Sequence, residues 1–190
     1  MLKIKHRINT IEALKNTPQD MGVEVDIRSE GTQLILHHDP FQKGEAFNHY
    51  LEHFKHAFII LNVKTEGIEE RVIQAMRTHS IHNYFFLDLS IPFLVKTAKK
   101  GERKIAVRYS EYEPLFFTTQ FKTMVNWVWI DCFKHLPLTQ KSYQELRQNF
   151  KLCLVSPELQ GHPKSQIPQF KQQLQNMPCD AVCTKYPEAW

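Results

Sequence analysis

The chain has only six glycines in 190 residues, and none of them falls in KIKHRINT, the segment that opens it. That leaves no Gly-rich phosphate loop after the first strand, where an open dinucleotide-binding sheet needs one. No uninterrupted apolar stretch is long enough to cross a bilayer. The N-terminus lacks the charged-then-apolar layout of a signal peptide, so a cytoplasmic protein with no transmembrane segment is expected. Blocks of like charge are missing too. The 24 Lys and Arg against 20 Asp and Glu give a formal charge of +4, spread along the chain, which gives no support to a nucleic-acid partner. Cys132, Cys153, Cys179 and Cys183 have no paired zinc-type spacing and fall in or beside apolar segments, as reduced core thiols do. There is no linker, internal repeat or low-complexity segment. A single domain over residues 1–190, long enough to bury a sizeable core, is the expectation.

What is present is a regular alternation, rich in aromatics with 13 Phe, 6 Tyr and 3 Trp. Short apolar runs read as strands near 3–7, 23–28, 59–64, 85–89, 104–108, 127–131, 152–155 and 181–184, with a further extended piece at 33–38. Amphipathic runs at 11–15, 45–56, 68–78, 91–99, 142–150 and 166–175 read as helices. Pro92 suits the first turn of its helix and Gly101 its end. Eight strands alternating with helices predict a parallel α/β sheet, closed as a compact (β/α)8 TIM barrel. The chain is short for that fold, which typically needs about 250 residues, so helices must be shortened or one must be missing. An open doubly wound sheet is the alternative.

Polar residues collect where the apolar runs end. His6-Arg7 ends the first, Glu24 and Asp26 lie two apart in GVEVDIR, and His38-Asp39 ends QLILHHDP. Residues two apart on a strand share a face, so Glu24 and Asp26 oppose Val25 and Ile27. Two carboxylates on one face of an apolar strand are costly unless a cation, a metal or a substrate uses them. Asn62 and Lys64, Asp88, Arg108 and Asp131 close later runs. In a barrel these strand ends form the active-site face. Two histidines among them supply groups that titrate near neutral pH.

Together, His6-Arg7, Asn9-Thr10, Glu24-Val25-Asp26 and His38-Asp39 resemble the motif of the glycerophosphodiester phosphodiesterase family, barrel enzymes related to phosphatidylinositol-specific phospholipase C. The resemblance is specific over residues 6–39 and fades through Lys64. It implies a phosphodiester hydrolase with His6 and His38 as the acid/base pair and Arg7 and Lys64 on the phosphate. It also implies that Glu24 and Asp26 bind a divalent cation, magnesium or calcium. Asn62 stands where the family has a third metal carboxylate, and an amide brings no charge. The loop after His-Arg is shorter than in the family, and there is no room for the insertion that shapes a glycerol pocket. A small glycerol-, sugar- or inositol-type phosphodiester is the expected substrate class. Arg108, at another strand end, is a further expected substrate contact.

Other features have plainer readings. The structural alternative for Glu24 and Asp26 is a buried salt-bridge network with Arg7, Arg28 or Arg108. His37 points away from His38 by alternation and reads as structural. Asp88, Asp131, Glu111 and Glu158 suit capping or loop positions as well as the rim of a site. Trp129 reads as barrel core. His49, His53 and His56 recur at helical spacing but read as a solvated stripe rather than a zinc site. The segment 114–117 reads as a loop plug, with a lid or lipid-touching lip as the alternative. Two other functions compete: a phosphate-ligand binding barrel without efficient turnover, favoured by Asn62, and a sugar-phosphate isomerase, opposed by the paired histidines and Glu-x-Asp.

Overall fold

The computed structural model of the chain describes residues 1–190. In order, the elements are β1 (Leu2–Lys5), α1 (Ile11–Lys15), β2 (Gly22–Glu30), β3 (Gln33–Leu36), β4 (Glu45–Ala46), α2 (Phe47–Glu52), β5 (Phe58–Val63), α3 (Glu69–Thr78), β6 (Tyr84–Leu87), α4 (Ile91–Lys99), β7 (Ala106–Tyr109), α5 (Leu115–Thr119), β8 (Trp127–Ile130), α6 (Gln140–Arg147), β9 (Lys151–Val155), α7 (Ile167–Gln173) and β10 (Ala181–Thr184). The mixed α/β alternation is as expected, and a helix lies in each connection between β1, β2, β5, β6, β7, β8, β9 and β10. The shortest, α1 and α5, have five residues each. No helix is long and apolar enough to cross a membrane. The chain divides into two compact units, residues 5–102 and residues 1–4 with 103–190.

In the unit 5–102, β2 pairs parallel with β5 and β5 parallel with β6. Val23, Val25, Ile27, Ile59, Ile60 and Leu61 are all fully buried, which is why these strands read as near-continuous apolar runs. The β2–β5 register sets Asp26 against Asn62. On its other edge β2 turns back through Gly31 (φ +55°) into antiparallel β3, and β3 pairs with β4. This hairpin carries His38 to a position just past β3.

The expected helix 45–56 is shorter than its periodicity suggests. Pairing with β3 takes Glu45 and Ala46 into β4, and the helix is capped at His53. His56 therefore lies outside it, buried, with Nε2 2.9 Å from the Thr17 carbonyl. No solvated three-histidine stripe exists. His49 pairs with Glu52 at 2.9 Å and meets His53 edge to face. In α4, Pro92 sits in the first turn and Gly101 follows the end at φ +96°, as expected.

In the other unit the strands run in the order β1-β10-β9-β8-β7, with β7 through β10 parallel to their neighbours. The segment 114–117 is not a loop but the start of α5, whose Phe117 stacks edge to face on Phe121 at 5.3 Å. All four cysteines are buried free thiols, and Trp129 is buried.

Candidate active site

The site assembles in the unit 5–102, where β2 and β5 end side by side. Glu24 and Asp26 are 1% and 0% exposed, on the β2 face opposite Val25 and Ile27. Buried carboxylates need partners, and each has a different set.

Glu24 accepts from the Arg7 amide at 2.8 Å and from the Asn62 amide at 2.9 Å, with His6 Nε2 3.8 Å from its Oε2. Arg7 reaches it by adopting a left-handed backbone (φ +54°), a strained state for a side-chain-bearing residue. Asp26 is clasped by Asn9, whose Nδ2 donates to Oδ2 at 2.9 Å while its Oδ1 accepts the Asp26 amide at 2.8 Å. Two cations flank the same carboxylate, Arg7 Nε at 3.9 Å and Lys64 Nζ at 3.7 Å. Lys64 is shared with Asp88 at 3.1 Å, a residue also held left-handed (φ +61°).

His38 comes from the hairpin, its main-chain carbonyl bound by Arg28. Its Nδ1 lies 2.7 Å from Asp39 Oδ1, and an ionised carboxylate only accepts, so Nδ1 carries the proton and Nε2 remains for exchange. That hydrogen bond holds the Asp39 carboxyl below its usual range, and the positive field of Arg7 adds to it. Arg7 thus acts electrostatically on both Asp26 and Asp39. Beside His38 opens a cleft of about 530 Å³ lined by Asn9, Thr10, His37, Asp39 and Lys43 among others. His37 accepts the Asp39 amide at 3.0 Å, a structural role as expected.

Burial, then the charge of Asp26, pushes the Glu24 carboxyl up to about 7, against the hydrogen bonds from Asn62 and Arg7 and the charge of Lys64. Glu24 is thus poised to change charge near neutrality, next to His6.

Of the positions the resemblance picks out, 6, 7, 24, 26, 62 and 64 share these contacts, while His38 lines the neighbouring cleft with Asn9. Arg108 belongs to the unit containing 103–190, where it pairs with buried Asp131, which also accepts from Gln160 at 2.7 Å. Glu111 and Glu158 serve the backbone: Glu111 takes the amides of residues 133–135, and Glu158 takes the Lys185 amide and the Thr184 hydroxyl.

Over 100% of its length the chain matches 99% of the crystal structure of a glycerophosphodiester phosphodiesterase from Agrobacterium tumefaciens, with a TM-score of 0.71 and 12% identity. Over 99% of its length it matches 84% of a glycerophosphoryl diester phosphodiesterase from Parabacteroides distasonis, with a TM-score of 0.67 and 11% identity. The chain has the fold of these phosphodiesterases. No family model and no curated protein sequence matches it.

Two residues of the site have roles that the sequence does not show. Asn9 stands in the motif, but its double clasp on Asp26 spans 17 positions and is visible only in space. Arg28 shares the face of Glu24 and Asp26, which was a signal. It forms no ion pair with either of them; its guanidinium binds the main-chain carbonyls of His38 and Lys64.

The expected divalent metal is tested by the donor set. Calcium takes about six to eight oxygens and magnesium a near-octahedral shell. Both Glu24 oxygens and Asp26 Oδ2 already accept hydrogen bonds. Asp26 Oδ1 and Asn62 Oδ1 are buried without hydrogen-bond partners, but the first faces the Lys64 ammonium and the second is an uncharged amide. No three His, Cys, Asp or Glu side chains are grouped to hold an ion. The residues as arranged do not fit a divalent cation.

Proposed function

We propose that the chain is a phosphodiester hydrolase acting on a small glycerol-, sugar- or inositol-type phosphodiester, with His6 and His38 as the acid/base pair. The supporting observation is one connected network within residues 5–102. It holds His6 beside Glu24, sets Arg7 and Lys64 on Asp26, and sits on a fold shared with phosphodiesterases.

A phosphodiester is anionic, and its oxygens gain charge as the attacking oxygen closes on phosphorus. Fixed cations aimed at those oxygens lower the barrier. Arg7, 46% exposed, and Lys64, 19% exposed, present such charge while Asp26 and Asp88 hold them in place. One imidazole takes the proton of the attacking water or substrate hydroxyl as the new P–O bond forms. The other gives a proton to the departing alkoxide as the old bond breaks. Asp39 orients His38, and Glu24 lies 3.8 Å from His6 Nε2. The four buried free cysteines suit a reducing, cytoplasmic compartment.

Hydrolysis of a chromogenic phosphodiester tests the reading. His6→Ala and His38→Ala should each lower kcat by about 10²–10⁴. Tight binding of phosphate compounds with no turnover under any condition would instead identify a phosphate-binding barrel.

A further inference from the structure

The charges of Asp26 and Asp88 are met by cations of this chain, without a metal: Arg7 and Lys64 lie at 3.9, 3.7 and 3.1 Å. Glu24 spends its two oxygens on amide donors from Arg7 and Asn62. A hard dication entering here would have to share the Glu24 oxygens with those amide donors, and at the remaining Asp26 oxygen it would meet the ammonium of Lys64. The two unpartnered oxygens, Asp26 Oδ1 and Asn62 Oδ1, bring one negative charge between them, and that charge already faces Lys64. The Asn62 amide nitrogen donates to Glu24, and its Oδ1 would bring a cation no charge.

We propose that this site works without a divalent metal, the Lys64 ammonium standing where the dication would and supplying the fixed positive charge for the phosphate. The proposal rests on the phosphodiesterase reading for the role of Lys64 but not for the absence of a cation site. Asp88 is then a positioning residue. Its left-handed backbone and its 3.1 Å contact hold the ammonium between two carboxylates, so the lysine is set before substrate arrives. Arg28 fixes the Lys64 main chain from the other side, donating to its carbonyl at 3.2 Å.

The test has two readouts on the unaltered protein. First, thermal unfolding is followed while magnesium or calcium is raised to millimolar levels without substrate. A midpoint change below about 1 °C is expected, and a rise of about 5 °C or more overturns the proposal. Second, turnover of the chromogenic phosphodiester is compared with excess chelator and with either cation. A change below about two-fold is expected for an enzyme that uses no dication. Loss of activity in chelator that magnesium or calcium restores overturns the proposal. If no phosphodiester is turned over at all, the phosphodiesterase reading fails, and the unfolding readout alone still decides whether a cation binds. Lys64→Met adds a third arm. It should lose turnover by about 10²-fold or more and gain a thermal response to calcium, because Asp26 Oδ1 is released. A folded Lys64→Met protein with full turnover overturns the assigned role.

Discussion

Arg28 Nε and Nη2 both donate to the main-chain carbonyl of His38, at 3.1 and 2.7 Å, while Nη1 donates to that of Lys64. One guanidinium thus ties the end of the β2–β3 hairpin to the end of β5, and sets an imidazole relative to an ammonium. The planar fork makes this possible, and a lysine cannot reproduce it.

Arg28→Lys should therefore leave the protein folded but lower kcat by about 10–100-fold, since an ångström of misplacement is felt at a reacting centre. Steady-state kinetics with circular dichroism of the variant checks this. Unchanged kcat would mean that Arg28 has no part in placing His38.

Asn9→Ala removes both arms of the clasp on Asp26, leaving its buried amide without a partner and its Oδ2 with only the 3.9 Å contact to Arg7. An unsatisfied buried group costs about 1–3 kcal/mol, so a loss of roughly 2–4 kcal/mol in urea unfolding is expected. Asn9→Asp should not rescue it, because its oxygen faces that of Asp26.

The raised Glu24 carboxyl makes stability depend on pH in a definite direction. Its folded value, about 7, lies above the ordinary value of 4.5, so the folded state holds that proton more tightly than the unfolded chain. The stabilisation from this group is complete below about pH 4.5 and is lost as pH rises through about 7, a difference of roughly 3 kcal/mol. Glu24→Gln keeps the shape and removes the titration. Urea unfolding at about pH 5 and about pH 8 should show the wild type losing this increment relative to the variant. A pH-independent gap between the two would show that Glu24 is ionised throughout.

At Gly44 an added Cβ would lie 2.3 Å from the Leu36 carbonyl oxygen and 3.3 Å from the His37 side chain. Gly44→Ala must push the loop off β3, at a cost of roughly 1–3 kcal/mol. Because Leu36 leads into His37 and His38, turnover should fall with stability. Thermal unfolding and kinetics on the same sample check both.

Burial pushes the Cys179 thiol up to about 12 and raises those of Cys132 and Cys153 as well. The reactive species is the thiolate, so a thiol reagent at neutral pH should label the folded protein slowly and all four cysteines rapidly once unfolded. Fast labelling of the folded protein would show that a thiol is exposed.

Local pattern carried much of this fold. The helix 91–99 was legible to the residue, because Pro92 and Gly101 bracket an amphipathic run. The strand 181–184 was equally clear from its short apolar composition. The helix that periodicity predicts at 45–56 starts two residues late because Glu45 and Ala46 answer to β3, a partner that periodicity cannot reveal. The burial of His56 is equally invisible to periodicity, since its partner is the Thr17 carbonyl, 39 positions away.

By itself the sequence determined the residue types at the strand ends and the face on which Glu24 and Asp26 lie, because strand alternation is a local rule. It determined as well the alternation of strands and helices from which the fold is read. Only the tertiary structure decided who partners whom: Asn9 on Asp26, Arg28 on two carbonyls, Asn62 donating to Glu24 and Lys64 between two acids. A buried charge takes its properties from whichever groups surround it in space, and contacts between distant positions are set by packing, which no short window of residues contains.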